Sequence, residues 1–382
     1  MIIWPINTRL DMYIPFLKEN AGVSYICDYR KGDIGMAQTV FRVAIIGLGY
    51  ISKTHLDNFT KIVGVEIAAI CDVSDIRVRE CARVYDVKHV FLDYRELLGL
   101  QNLDLVVICV PNNLHECVTI DALNAGQNVL CEKPMATNLK GAQAMFAAAE
   151  RSQKKLSVAM NFRWQFFSPE VFHIKRLIET GKLGKIYYIR VHYLRRETFP
   201  LDASWSRWNL SEQQSGGGVL IDLGPHMLDL AMWLVNDFSP TLVNGFVHNG
   251  LLKYAQIEDF ATGSVRLESG VRIQLDLAWN SHNETARAIQ VYGEKGGYLL
   301  DALKPEGHRL SKYTADSKES FLEPLVSQLS HPQEITLQEH IVKRLRAGQN
   351  TDCSADRALE VMRIIEGWYE SSKTGRDYLF HN

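Results

Sequence analysis

Apolar residues in this chain follow two rhythms, and the change between them divides it. From residue 41, short β-branched runs alternate with stretches of helical period. The runs are "FRVAIIG" (41–47), "GVEIAAICD" (64–72), an extended piece at 88–91, "LDLVVICVP" (103–111), "QNVLCEKP" (127–134) and "KLSVAMN" (155–161). Helical stretches follow the first run and fall at 74–83, 94–98, 113–125 and 138–152. Near-continuous apolar strands alternating with helices predict a parallel sheet covered on both faces.

After Asn161 the rhythm changes. A helical stretch at 168–180 leads into "KIYYIRVHYLRRE" (185–197), a long alternating strand. More strands follow in "TLVNGFVHNG" (241–250), "DFATGSVRLESGVRIQLDLAWN" (259–280) and "ARAIQVYGEKGGYLLD" (286–301), and helices at 334–347 and 354–372 close the chain. Ser269-Gly270 marks a hairpin tip. Long strands with helices to one side predict an α+β domain with a large, mostly antiparallel open sheet. One face of such a sheet needs cover, and a second subunit would supply it. The expected division is 1–40 as an N-terminal extension of unclear role, 41–160 as a dinucleotide-binding domain, and 161–382 as a substrate-binding and oligomerisation domain. Residues 1–40 show no clear period, and a second methionine, Met36, lies just before the first strand. Either this segment packs elsewhere or the natural start is near Met36.

Composition narrows the function classes. The 382 residues are 46% hydrophobic and 23% charged, with 42 Lys and Arg against 44 Asp and Glu, a formal net charge of −2. Nothing in that balance calls for a nucleic-acid or anionic-membrane partner. No run approaches the roughly 18 apolar residues of a membrane helix. The start "MIIWPINTRLDMYIPF" has neither the basic nor the apolar region of a secretory signal. Seven cysteines, an odd number with no CxxC spacing, argue against a disulfide framework or zinc site and for a reducing cytoplasm.

The first strand–helix turn is "VAIIGLGYIS". Gly47 permits a tight turn, Gly49 lets backbone amides approach a pyrophosphate at the helix N-terminus beside Tyr50 and Ile51, and Ser52 stands where a third glycine is usual. Asp72 ends the second strand 23 residues past Gly49, where an acid accepts the ribose hydroxyls of the adenosine half. It would repel a 2′-phosphate, so NAD is favoured over NADP. A plain helix cap is the other reading of Asp72. At the end of the fourth strand, Pro111, Asn112, Asn113 and His115 sit on the carboxyl edge where open α/β sheets place ligands. Asn112 or Asn113 would cap the next helix, reach the nicotinamide ribose, or do both. A structural role fits His115 equally well.

Two further motifs carry charge into apolar surroundings. "VLCEKPMA" places Glu132, Lys133 and Pro134 after the fifth strand, and "GGGVLIDLGPHMLDL" (216–230) embeds Asp222, His226 and Asp229 in an apolar tract. Read alone, Lys133 is a surface lysine and Asp222 with His226 a satisfied core pair. A metal would need further ligands at compatible spacing, and none is evident. Pro225 removes an i→i−4 bond, so the helix is expected either to restart there, with Asp222 in the turn before it, or to bend at 224–225.

Taken together and in order, the glycine turn, the "CD" ending the second strand, Pro-Asn, C-E-K-P and G-G-G…D-x-x-x-H resemble the Gfo/Idh/MocA family, which includes glucose–fructose oxidoreductase and inositol dehydrogenase. The resemblance runs from about 41 to the C-terminus. It implies a Rossmann domain joined to an α/β domain with a large open sheet, and homodimers or homotetramers paired through that sheet. It also implies NAD(H) or NADP(H) and oxidation of a secondary alcohol of a sugar or cyclitol. Matched to its motifs, His226 is the general base, with Asp222 fixing its tautomer. Lys133 stabilises the developing alkoxide. Both side chains of the D-x-x-x-H pair are expected to face Lys133 across a cleft. Asn161 and Arg163 of "MNFRW" match an Asn–Arg pair near cofactor and substrate. Tyr193, Arg195, Arg196, Trp205, Arg207 and Trp208 either recognise a polyol or acidic sugar or pack at a strand end. Asp229 reads as a structural partner, and Met227, Leu228, Leu230, Ala231 and Trp233 as core. The same residues also suit an NAD-dependent glycosidase of this fold, or a non-catalytic dinucleotide sensor.

Overall fold

The computed structural model describes residues 40–165, 167–196, 208–250, 256–305, 308–314, 317–321 and 336–381. Residues 1–39, Trp205 and Arg207 lie outside them. The apolar runs form six parallel strands: β1 (Phe41–Ile46), β2 (Val65–Cys71), β3 (His89–Phe91), β4 (Leu105–Ile108), β5 (Val129–Cys131) and β6 (Leu156–Val158). Between them run α1 (Tyr50–Phe59), α2 (Asp75–Tyr85), α3 (Tyr94–Leu98), α4 (His115–Asn124) and α5 (Leu139–Ser152). All four residues of β4 are buried, as continuous apolar strands require when both faces are covered. The strand order is β3-β2-β1-β4-β5-β6. That is the doubly wound Rossmann order, and its ligand crevice lies where the order reverses, at the carboxyl ends of β1 and β4.

Beyond β6 come α6 (Phe162–Gln165), α7 (Glu170–Glu179), β7 (Ile186–Leu194), α8 (Glu212–Ser215) and α9 (Val219–Val235). Strands β8 (Pro240–His248), β9 (Phe260–Leu267), β10 (Arg272–Ala278), β11 (Ala286–Gly293), β12 (Gly296–Asp301), β13 (Leu310–Thr314) and β14 (Ser317–Phe321) follow. Then come α10 (Leu337–Arg346), α11 (Ala355–Thr374) and β15 (Tyr378–Leu379). Among the described residues the second sheet has nine strands in the order β14-β13-β12-β11-β7-β10-β9-β8-β15. Its neighbours are antiparallel except β7 and β10, which run parallel because the long connection through α9 returns the chain in the same direction. The Ser269-Gly270 hairpin joins β9 and β10 as the sequence indicates. Strands β13, β14 and β15 have no counterpart in the apolar pattern.

Two expectations are corrected in α9. The helix does not restart at Pro225: it begins at Val219 and runs as one helix to Val235. Only the bond from residue 225 to Ile221 is lost, and nearly every side chain of α9 is buried, so packing holds the turn that proline alone would break. Asp222 therefore lies inside the helix, one turn before His226. The second correction concerns hydropathy. The stretch Glu212–Val235 is long and apolar enough to cross a membrane by length and composition, but 89% of its most apolar window is buried inside the protein. Its apolarity is that of a core helix.

Candidate active site

The β1–α1 turn is shaped by backbone demands. Gly47 has φ +91°, and an added Cβ would lie 2.6 Å from the Cys109 carbonyl oxygen, so only glycine fits. Gly49 is the N-cap of α1, and Ser52, buried on the first turn, donates from Oγ to the Gly49 carbonyl at 2.6 Å. Tyr50 and Ile51 follow on the open side, with Tyr50 exposed. Asp72 is buried at the end of β2, but it does not cap α2. Ser74 takes the cap position, while Asp72 accepts from the backbone N–H of Leu48 (2.7 Å) and of Ser74 (2.8 Å). The acid thus ties the glycine turn to β2, and the Arg77 guanidinium lies 3.6 Å from it on the solvent side. Two observations at the carboxyl edge of the sheet, one in this turn and one after β6, suit a bound dinucleotide. A Cβ on Gly49 would meet nothing within 4 Å. Asn161 Oδ1 is buried without a hydrogen-bond partner, which costs about 1–3 kcal/mol unless a ligand or water meets it.

Four residues that the motifs put beside the cofactor, Asn112, His115, Glu132 and Arg163, make contacts inside the protein. Asn112 is buried and donates from Nδ2 to the Ser215 carbonyl at 2.9 Å, bridging the strand edge to the glycine-rich loop. His115 is buried with its ring nitrogens 2.8 and 2.9 Å from the carbonyl oxygens of Pro134 and Val110, bracing the two loops that follow β4 and β5. Glu132 lies 2.8 Å from His55 Nε2, and Gln338 lies 2.9 Å from His55 Nδ1, an interior chain that joins the loop after β5 to α1 and α10. Arg163 is 0% exposed. Its guanidinium pairs with Asp229 at 2.6–3.2 Å and lies between Trp164 and Trp233. A charge this deep needs its counter-ion, so the pair is architectural and Asp229 is its other half. Arg163→Ala is expected to destabilise the protein by about 3–5 kcal/mol, read as a lower urea midpoint, because it strands the Asp229 carboxylate.

Lys133 and Asp222 do meet. Lys133 Nζ lies 2.6 Å from Asp222 Oδ1 and 3.1 Å from the Asp222 carbonyl oxygen, joining the end of β5 to α9. Burial alone would raise the Asp222 carboxyl. The Lys133 ammonium, the hydrogen bonds from Lys133 and Trp279 and the Arg195 charge together outweigh it and hold the group below the usual carboxylate range. Asp222 does not orient the imidazole. Its outer oxygen accepts from Trp279 Nε1 at 2.8 Å, and the His226 ring is instead stacked face to face on Phe162, with centroids 3.8 Å apart and planes 8° apart. His226 Nδ1 is buried without a partner. Burial first, and then the Lys133 ammonium, push the imidazole pKa well below its ordinary value, so the ring is neutral at pH 7.

At the rim, Arg195 is half-buried, and its guanidinium covers the Tyr193 ring at 5.2 Å and reaches the Tyr193 hydroxyl at 3.3 Å. Its positive charge also helps hold the Asp222 carboxylate ionised. Trp208 is half-buried nearby in sequence. Sequence reasoning missed Trp279, Phe162 and His55. Trp279 follows a predicted strand by one residue, and nothing local to "DLAWN" says which carboxylate its indole will meet. Among the described residues, no group of three His, Cys, Asp or Glu side chains could hold a metal ion.

The family described as "Oxidoreductase family, NAD-binding Rossmann fold" (Gfo/Idh/MocA) matches residues 41–160, and the Gfo/Idh/MocA C-terminal domain matches 171–299. The chain is 28% identical over 348 residues to a D-apiose dehydrogenase of Paraburkholderia graminis, covering 88% of each chain. It is 30% identical over 281 residues to the D-glucoside 3-dehydrogenase of Escherichia coli, covering 69% of this chain and 78% of the other. The crystal structure of an aldose-aldose oxidoreductase from Caulobacter crescentus shares the fold. It has a TM-score of 0.76 at 22% identity and covers 89% of this chain and 99% of that one.

Proposed function

The chain belongs to the Gfo/Idh/MocA oxidoreductase family, and on that premise we propose that it is an NAD-dependent dehydrogenase oxidising a secondary hydroxyl of a sugar, sugar derivative or cyclitol. The observation that carries the reading is the Lys133–Asp222 ion pair beside a buried, neutral His226, placed at the carboxyl edge of the Rossmann sheet. A bound nicotinamide supplies the hydride acceptor. The N–H groups at the start of α1, from Gly49 through Tyr50 and Ile51, hold the pyrophosphate. Asp72 accepts from the adenosine ribose, and Pro111 follows β4 at the crevice where the strand order reverses. Lys133, kept charged and aimed by Asp222, donates to the substrate oxygen and stabilises the negative charge that develops there. With Nδ1 sealed in the interior, Nε2 of His226 is the nitrogen that takes the hydroxyl proton, and it returns it in the reverse direction. Arg195 binds a second hydroxyl or a carboxylate of the substrate.

The names of the apiose and glucoside dehydrogenases support a carbohydrate-like substrate. A panel of pentoses, hexoses, glycosides and inositols, scored by NADH formation, tests the substrate class, and no turnover on any member counts against it. Asp72 sets the cofactor: Asp72→Asn is expected to raise the KM for NAD roughly tenfold, the value of one charge-assisted hydrogen bond, and to narrow the preference over NADP. Initial rates with both dinucleotides check this. One face of the nine-stranded sheet is covered by α9 and α11. The opposite face carries Arg190, His192, Thr262 and Asp276 in one hydrogen-bonded group, and this polar face supports the reading that a second copy of the chain packs there in a homodimer or homotetramer. Sedimentation velocity reads that state, and a monomer at micromolar concentration counts against it. The six cysteines among the described residues are all unpaired, which suits a reducing cytoplasm.

A further inference from the structure

We propose that Trp279 is a positioning residue of this site: its indole N–H fixes the outer oxygen of the Asp222 carboxylate, so that the inner oxygen stays against the Lys133 ammonium. The inference rests on the reading of Lys133 and Asp222 given above. A carboxylate turns easily about its last torsion, whose energy profile is broad. One donor leaves that rotation free, and two donors on opposite oxygens fix it. Here Lys133 Nζ holds Oδ1 at 2.6 Å and Trp279 Nε1 holds Oδ2 at 2.8 Å. Among the described residues the carboxylate has no other hydrogen-bond partner, and His226 is not one. The chemistry of the donor suits the task. An indole N–H is a donor only and carries no charge. It orients Asp222 without competing with Lys133 as a counter-ion, and it adds no positive charge near His226.

The indole is held by the same short segment that holds the helix. Trp279 is buried, and its backbone N–H donates to the Asp259 carbonyl at 3.0 Å. The residue before Asp259, Glu258, accepts through its carboxylate from the N–H groups of Gly218 (2.9 Å) and Leu220 (3.0 Å), and through its carbonyl from Val219 (3.0 Å). Glu258 thus caps α9 from a distant loop. Gly218 must be glycine for this, since a Cβ would lie 1.9 Å from the Glu258 carbonyl oxygen. Glu258-Asp259 therefore sets both ends of the bond: the first turn of the helix that bears Asp222, and the backbone that bears Trp279. A loop free to move independently of α9 could not keep two groups at 2.8 Å.

The rival role for Trp279 is packing, and an isostere separates the two. Replacing Trp279 with 3-benzothienylalanine exchanges the N–H for sulfur and keeps the ring shape. The variant is expected to lose roughly tenfold in kcat on any substrate the wild type oxidises, with the KM for NAD unchanged, because the lost bond is to an ionised group. Trp279→Phe should match it. In an Asp222→Asn background the isostere should cost little, since the two changes share one interaction. An isostere with wild-type kcat overturns the proposal, and it decides the matter if Trp279→Phe fails to fold. A second readout needs no substrate. Seven tryptophans give seven indole ¹H–¹⁵N resonances, and Trp279→Phe identifies the one from Trp279. Its proton should lie downfield in the wild type and move upfield in Asp222→Asn. An unmoved resonance overturns the bond itself. A moved resonance in a protein that turns over no sugar or polyol would instead leave the bond standing and sink the functional reading.

Discussion

His226→Ala is expected to lower kcat by about 10²–10⁴, the range for loss of a positioned general base, while NAD affinity stays within about twofold. The pH dependence carries a sharper signature. Oxidation needs the imidazole neutral, so that it can accept the proton. Burial and the nearby Lys133 ammonium both disfavour the imidazolium, placing its pKa well below the ordinary value of about 6.5. The sign follows: the rate is full above that pKa and falls as pH drops through it. The acid limb of kcat/KM in the wild type should therefore lie below pH ~6.5, and His226→Ala should remove it. Steady-state rates across the pH range check both. A variant that keeps full turnover, or an acid limb that survives it, assigns the proton to another group.

Lys133→Met is expected to cost about 10²–10³ in kcat, the range for loss of one preorganised donor to a developing oxyanion. Methionine keeps much of the length and apolar volume and removes the charge. It also strips Asp222 of its counter-ion, and burial then pushes that carboxyl up toward neutrality at mildly acid pH. The double variant Lys133→Met, Asp222→Asn should consequently be no worse than Lys133→Met alone by more than a few-fold, since the two residues act as one unit. Full additivity of the two losses would show that they act separately.

Most of the architecture is legible in the sequence, because it rests on local period. Short apolar runs between helical stretches required a covered parallel sheet, whereas the strand order, in which β3 and β4 lie at different places across β2 and β1, is seen only in the structure. The dinucleotide turn is legible for the same reason, since Gly47 and Gly49 answer a local backbone need. What sequence could not give is which charges meet. Arg163 and Asp229 lie 66 residues apart and form a buried pair, so an arginine beside a polar strand end looks the same as one that lines a cleft. Asp222 and His226 are spaced for mutual contact on one helix face, yet the carboxylate turns to Lys133 and Trp279, and the ring turns to Phe162. Asn112, His115 and Glu132 show the same limit. Each sits in a motif next to the crevice, and each turns at least one polar side-chain atom to a partner inside the protein. Pro225 does not start a new helix for another reason: it removes one bond, whereas α9 is held by a buried surface along its whole length.

The central claim is a hydride transfer from a carbinol carbon into free dinucleotide. It is tested most directly with a substrate from the panel deuterated at the reacting carbon, incubated with the enzyme and NAD, and followed by mass spectrometry of the released cofactor. Appearance of deuterium in NADH in step with ketone formation is the expected result, and His226→Ala should slow it by the factor given above. Cleavage of a glycoside with no deuterium in released NADH, or tight NAD binding with no labelled cofactor from any member of the panel, would contradict it.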